Sequence, residues 1–279
     1  SVIGKDGYFF LNESNNPIGN YYRGSLNESM VSGWCDVISK RKLALEKFGC
    51  KFLQIIFPEK QSIIGDKLLV GVDEETTNLK KINENFKNDN CYLNITEIFK
   101  KLYSSDIIPY RKLDTHLSYQ GARFAVEEIL KCLELSNIKI DRPLLISEMM
   151  SGDLGNKFAH GAFWENQLVP DPGSWELGMN TPMLVKEINP ENGHIGIVRH
   201  WKNKQALINK RIMIFGNSFF ERGISSLGLS YWFSRLFKEV YFIWSPTFDI
   251  DLVCSFSPDY VICQTVERFL PAIPKDNIK

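Results

Sequence analysis

The chain has 279 residues, 44% of them apolar and 13% aromatic, which is enough for one large α/β domain or two small ones with a sizeable core. Lys plus Arg and Asp plus Glu both number 33, so the formal charge is zero, which argues against nucleic acid or an anionic membrane surface as the main partner and favours a small or neutral polymeric substrate. No stretch approaches the roughly 20 apolar residues of a membrane span, and SVIGKDGYFF lacks the basic and apolar regions of a signal peptide.

In chain order, YFFLN reads as a strand, followed by a polar turn segment and a long helix from Ser29 or Ser32 to Phe48, with Gly49 as its stop. KFLQIIFP is a buried strand. Helix then strand repeats through NLKKINENF and CYLNIT, then TEIFKKLYS and the short strand IIPYRK, before a helix over 119–135. The stretch 147–204 changes character, being rich in Gly, Asn, Pro and Trp with little periodicity, and reads as a loop-rich insertion that serves either as binding surface or as a plain excursion. The last third returns to alternation: strand RIMIF, helix 219–237, strand EVYFIW, a short helix at FDIDLVCSF, the turn Ser257-Pro258-Asp259 and strand DYVICQ. The expected fold is therefore α/β, a parallel sheet flanked by helices, in one domain spanning 1–279.

Six cysteines (Cys35, Cys50, Cys91, Cys132, Cys254, Cys263) show neither CxxC nor metal-ligand spacing, and most sit inside periodic segments as small apolar residues. That pattern favours a reducing compartment and a cytoplasmic location, although the even count leaves disulfides open, while a leader removed before residue 1 would place the protein in the periplasm.

The run RIMIFGNSFF stops at Gly216-Asn217-Ser218, where the serine is either the N-cap of the next helix or a nucleophile displayed at the end of a sheet. Backbone N–H groups at the start of that helix would hold an oxyanion, and Gly216 would permit a tight turn. A serine nucleophile needs a base, and the chain has four histidines: His116, His160, His194 and His200. His116 has Asp114 two residues away, close enough for the carboxylate to fix its tautomer, although in isolation Asp114 also serves as a plain turn cap. His160 and His194 fall in the irregular middle, and His200 reads as surface. No two histidines stand at helical ligand spacing and HExxH is absent, so no metal is expected. Trp164, Trp175, Trp201 and Tyr119 are available either for stacking on sugar rings or for the core.

GKDGYFFL at 4–11, YRKLDTHLSYQGA at 110–122, SGDLGNKF at 151–158, IFGNSFF at 214–220 and VERFL at 266–270 together resemble the alginate O-acetyltransferase (AlgJ/AlgX-like) group of SGNH-hydrolase-like proteins, in the same order along nearly the whole chain. The resemblance implies an SGNH-hydrolase-like, flavodoxin-like three-layer fold and a triad of Ser218, His116 and Asp114. Gly216, Asn217, Gly152 and Tyr119 would then form the oxyanion and substrate-binding surroundings. Asn217 replaces the family's Asp before the serine, and Leu117 its Trp after the histidine.

The implied activity is transfer of an acetyl group to a sugar hydroxyl of a bacterial polysaccharide through an acetyl-serine. The acceptor would be a polysaccharide or oligosaccharide, and the donor acetyl-CoA or a membrane acetyl-transfer partner, with no cofactor bound. A carbohydrate acetylesterase with the same triad, or a polysaccharide-binding protein with a vestigial one, are the alternatives that the residues leave open.

Overall fold

The computed structural model describes residues 1–13, 18–72, 74–140, 143–157, 163–171, 181–223 and 226–278. The short strands β1 (Val2–Ile3) and β2 (Phe9–Phe10) pair with each other, and α1 (Ile18–Tyr21) leads to α2 (Glu28–Glu46). Asn27, rather than either serine, caps α2, its side chain accepting from Met30 N at 3.1 Å, and Gly49, with φ +64°, ends the turn that follows it.

Next come β3 (Lys51–Phe57), α3 (Lys60–Ile64), α4 (Thr77–Asn85), β4 (Tyr92–Leu93), α5 (Ile95–Ser104) and α6 (Tyr119–Cys132). Strands β5 (Leu145–Met150), β6 (Glu165–Pro170), β7 (Met183–Ile188) and β8 (Val198–Lys202) then precede β9 (Ile208–Gly216), α7 (Leu229–Leu236), β10 (Phe237–Trp244), α8 (Ile250–Phe256) and β11 (Tyr260–Val266).

Seven strands form the central sheet in the order β4-β3-β11-β9-β10-β8-β7. The first five are mutually parallel, as the helix–strand alternation predicts, and β8 and β7 extend the sheet antiparallel beyond β10. The buried strands read as continuous apolar runs because both faces are covered. Leu53, Ile55, Ile212, Ile214 and Ile262 face one core, closed by α3, α5, α6 and α7, while Phe52, Ile56, Met213, Phe215 and Val261 face another, closed by α2, α4 and α8. This is the expected three-layer α/β arrangement.

Three sequence expectations need correction. The helix expected over 219–237 is confined to α7, because Gly223 (φ +65°) and Gly228 interrupt the apolar period and Phe237 already belongs to β10. IIPYRK is not a strand: only a single bridge, Tyr110 to Leu117, marks it. The stretch 147–204, read as loop-rich, holds most of β5 together with β6, β7 and β8; β5 is exposed along nearly its whole length and so lacks the in-out alternation that betrays a strand, while β6 buries Val169 and Pro170 only at its end.

Candidate active site

Ser218 stands two residues beyond Gly216, the last residue of β9, at the carboxyl end of the parallel strands, where ligands bind in open α/β sheets. The turn is held from two sides. Asn217 N–H donates to Gln264 Oε1 of β11 at 3.0 Å, and Asn217 Oδ1 accepts from Phe219 N at 3.1 Å, closing an Asx turn around the serine. Since α7 begins only at Leu229, the anion-favouring helix N-terminus expected directly behind Ser218 is not there. Ser218 N–H is free of backbone hydrogen bonds among the described residues, and it remains a donor for an oxyanion.

The loop between α5 and α6 brings the second half of the site to the same end of the sheet, where Tyr110 Oη donates to Pro58 O at 2.6 Å just beyond β3. Asp114 and His116 are 2% and 8% exposed, and Asp114 Oδ1 lies 2.6 Å from His116 Nδ1. A carboxylate only accepts, so this contact puts the imidazole proton on Nδ1 and leaves Nε2 with a lone pair. Nε2 is buried and has no hydrogen-bond partner among the described residues. The ring leans on Phe219, centroid to centroid 5.1 Å, the residue next to the serine.

Asp114 is itself fixed. Oδ1 also accepts from His116 N at 2.8 Å, and Oδ2 accepts from Asp153 N at 2.9 Å and pairs with Arg111 Nη2 at 2.6 Å. Burial pushes the Asp114 carboxyl up, but the hydrogen bond and charge of His116, the Arg111 guanidinium and the Asp153 N–H together hold it well below the usual carboxylate range. Asp153 returns the grip, its Oδ1 accepting from Thr115 N at 2.8 Å and its Oδ2 from Thr115 Oγ1 at 2.6 Å. Asp114, His116 and Asp153 are close enough together to hold a cation. Their oxygens are committed to these hydrogen bonds, and Arg111 and Arg222 add positive charge beside them, Arg222 Nη1 lying 3.7 Å from Asp153 Oδ2.

Ser218, His116 and Asp114 line one cleft of about 320 Å³, together with Arg111, Asp153 and Arg222. Ser151 and Asn156 also face it, Ser151 Oγ being buried with no partner among the described residues.

Gly216, Asn217 and Gly152 lie behind the cleft wall rather than on it. A Cβ at Gly152 would stand 2.1 Å from Leu113 O and 2.6 Å from Asp114 Cβ, so this glycine permits the 151–156 segment to pass directly under the Asp114 loop. Tyr119 is in the core against Trp232, ring centroids 5.9 Å apart, and away from the cleft. His194 stacks on Trp244 and His200 bonds Glu239, both outside the cleft, while His160 and Trp175 lie outside the described residues. Of the other aromatic candidates, Trp201 is buried and Trp164 exposed.

Sequence reasoning missed Arg111, Asp153 and Arg222 as site residues. The first two stand inside segments it had singled out, three residues before Asp114 and in SGDLGN, but nothing in their spacing aims them at the histidine.

No family model matches the chain, and no curated protein matches it in sequence. Solved structures do match in fold. The structure of Bacillus cereus PatB1 with a sulfonyl adduct aligns at 15% identity over 90% of this chain and 95% of that one, with a TM-score of 0.62. Pseudomonas aeruginosa AlgX aligns at 14% identity over 95% of this chain and 61% of its own, TM-score 0.55. The O-acetyltransferase domain of Pseudomonas putida AlgJ aligns at 14% identity over 99% of this chain and 93% of that one, TM-score 0.55. The resemblance that the five sequence segments carry thus extends to the fold of the whole chain.

Proposed function

We propose that the protein is an O-acetyltransferase that moves an acetyl group through Ser218 to a sugar hydroxyl of a bacterial polysaccharide. The observation that carries this reading is the buried Asp114–His116 pair, 2.6 Å apart, in which Nε2 has no partner among the described residues and His116 lines the same cleft as Ser218. Likeness in fold to the O-acetyltransferase domain of AlgJ supports the reaction type.

In this reading His116 Nε2 takes the proton from Ser218 Oγ as the oxygen attacks the acyl carbon of the donor, for which acetyl-CoA is proposed. Ser218 N–H and the Asn156 side chain supply hydrogen bonds to the developing oxyanion. Collapse breaks the bond to the leaving group, which departs with the proton from His116. A sugar hydroxyl then loses its proton to His116 and attacks the acetyl-serine, and collapse breaks the acyl–Oγ bond as His116 returns the proton to Ser218 Oγ, leaving the acetylated sugar and the free enzyme. Asp114 stabilises the imidazolium in both halves, and its depressed proton affinity keeps it an anion throughout.

The test is to incubate the protein with acetyl-CoA or a chromogenic acetyl ester, with and without oligosaccharides, and to weigh the products. Acetylated sugar, formed faster than free acetate and lost in Ser218→Ala, is expected. Donor hydrolysis indifferent to every saccharide would instead make the protein an esterase.

A further inference from the structure

The segment 111–116 carries the dyad without regular secondary structure, so its backbone polar groups must find partners one by one. Charged side chains from other elements supply most of them. Glu165 of β6 accepts from Lys112 N at 3.1 Å and Leu113 N at 2.7 Å, and Asp153 accepts from Thr115 N. Three of the carbonyls are taken from below by Lys60 of α3, which is 2% exposed, while Leu113 O accepts from Leu154 N and Gly155 N and His116 O from Arg111 N. Lys60 Nζ donates to Arg111 O at 2.6 Å, Lys112 O at 2.8 Å and Asp114 O at 3.2 Å, and also to Phe9 O of β2 at 2.8 Å. Four acceptors around one nitrogen suit an ammonium with three N–H groups and leave no place for an amine lone pair. The rings of Tyr8 and Phe10 stand 5.4 and 5.2 Å from it.

We propose that Lys60 is a positioning residue for the Asp114–His116 pair, its buried ammonium fixing the loop carbonyls and thereby the direction in which His116 Nε2 points. The proposal rests on the serine-transferase reading of the cleft. The groups facing Lys60 are the carboxylates of Glu165, Asp114 and Asp153 and the guanidinium of Arg111. Burial pulls the ammonium down to about 7, the three carboxylates acting against this and Arg111 with it. Loss of its proton frees a loop carbonyl, so turnover acquires an alkaline limb that belongs to Lys60.

The experiment measures kcat and KM against pH with p-nitrophenyl acetate for wild type, Lys60→Met, Lys60→Arg and Ser218→Ala, each checked for folding by near-UV circular dichroism. Lys60→Met should lower kcat about 100-fold, as expected for a dyad misplaced by roughly 1 Å, with KM for the ester little changed. Lys60→Arg should recover part of kcat and lose the alkaline limb, because a guanidinium stays charged. A folded Lys60→Met with wild-type kcat overturns the proposal, as does a Lys60→Arg that keeps the limb unchanged. If neither variant folds, the wild type decides the pH claim, since turnover flat up to about pH 10, the ordinary lysine range, overturns the alkaline limb assigned to Lys60. Activity surviving in Ser218→Ala would defeat the serine reading itself, whereas an inactive Ser218→Ala beside an unimpaired Lys60→Met defeats only the role given to Lys60.

Discussion

Gly152→Ala places a single methyl where the site has no room for one. The new Cβ would meet Leu113 O at 2.1 Å, Leu113 C at 2.5 Å and Asp114 Cβ at 2.6 Å, two of them backbone atoms that no rotamer change can move aside. Restoring ordinary contact distances requires the Asp114 loop or the 151–156 segment to retreat by roughly 1 Å, a cost of about 1–3 kcal/mol for overpacking a closed site. The retreat acts on the dyad, because Asp153 N and Asp114 Oδ2 are hydrogen-bonded across this gap at 2.9 Å. A displacement of that size should lower turnover of a chromogenic acetyl ester about 100-fold. The control is Gly71→Ala, whose Cβ would find nothing nearer than Gly65 O at 3.9 Å, and it should be close to neutral in both stability and rate. If Gly152→Ala retains wild-type turnover and melting temperature, the tight apposition of the two segments is not what holds the dyad.

A sulfonyl fluoride should add its sulfonyl group to Ser218 and to no other serine, read as a mass shift on the peptide containing Asn217 and Phe219, and His116→Ala should slow that labelling because the base no longer accepts the proton. Asp114 has its folded-state proton affinity depressed, so the stability it contributes is complete above its unfolded value of about 4 and is lost as pH falls below it; acid unfolding of Asp114→Asn should therefore be shallower than that of wild type. Burial pushes the Cys50, Cys91 and Cys263 thiols up to about 12, so a thiol reagent should find them only after denaturation, whereas exposed Cys254 should react in the native protein. A native count that already includes Cys263 would contradict the packing of β11.

The parallel half of the sheet was legible because its strands are buried on both faces and separated by helices of clear period: KFLQIIF, RIMIF and YVICQ fall on β3, β9 and β11. The antiparallel extension was not. Strand β7 exposes Met183, Val185 and Ile188 and gives no alternating signal, so composition alone made it look like loop. Asp114 and His116 were legible as a pair because two residues of separation let one side chain reach back to the other. Lys60 and Glu165 were not, because a lysine in PEKQ and a glutamate in FWENQ look like solvated surface until the fold sets them against the loop backbone.

The two departures from the family pattern can be weighed against the contacts they make. Asn217 stands where the resemblance expects Asp, and its side chain works here as an acceptor, Oδ1 to Phe219 N at 3.1 Å, within a turn anchored by its own N–H on Gln264. An amide oxygen performs that task as a carboxylate oxygen does, so the turn around Ser218 survives the change, and what is lost is a negative charge beside the place where an oxyanion would form. Removing an anion from that place lowers the cost of developing another there. Leu117 stands where Trp is expected, only 2% exposed yet on the cleft wall, packed into the same core as Leu229 and Trp232. A side chain so enclosed offers little flat surface to a sugar ring. In the proposed transferase, acceptor recognition would therefore fall to the polar side of the cleft, where Arg222 and Asn156 are exposed and line it with the serine.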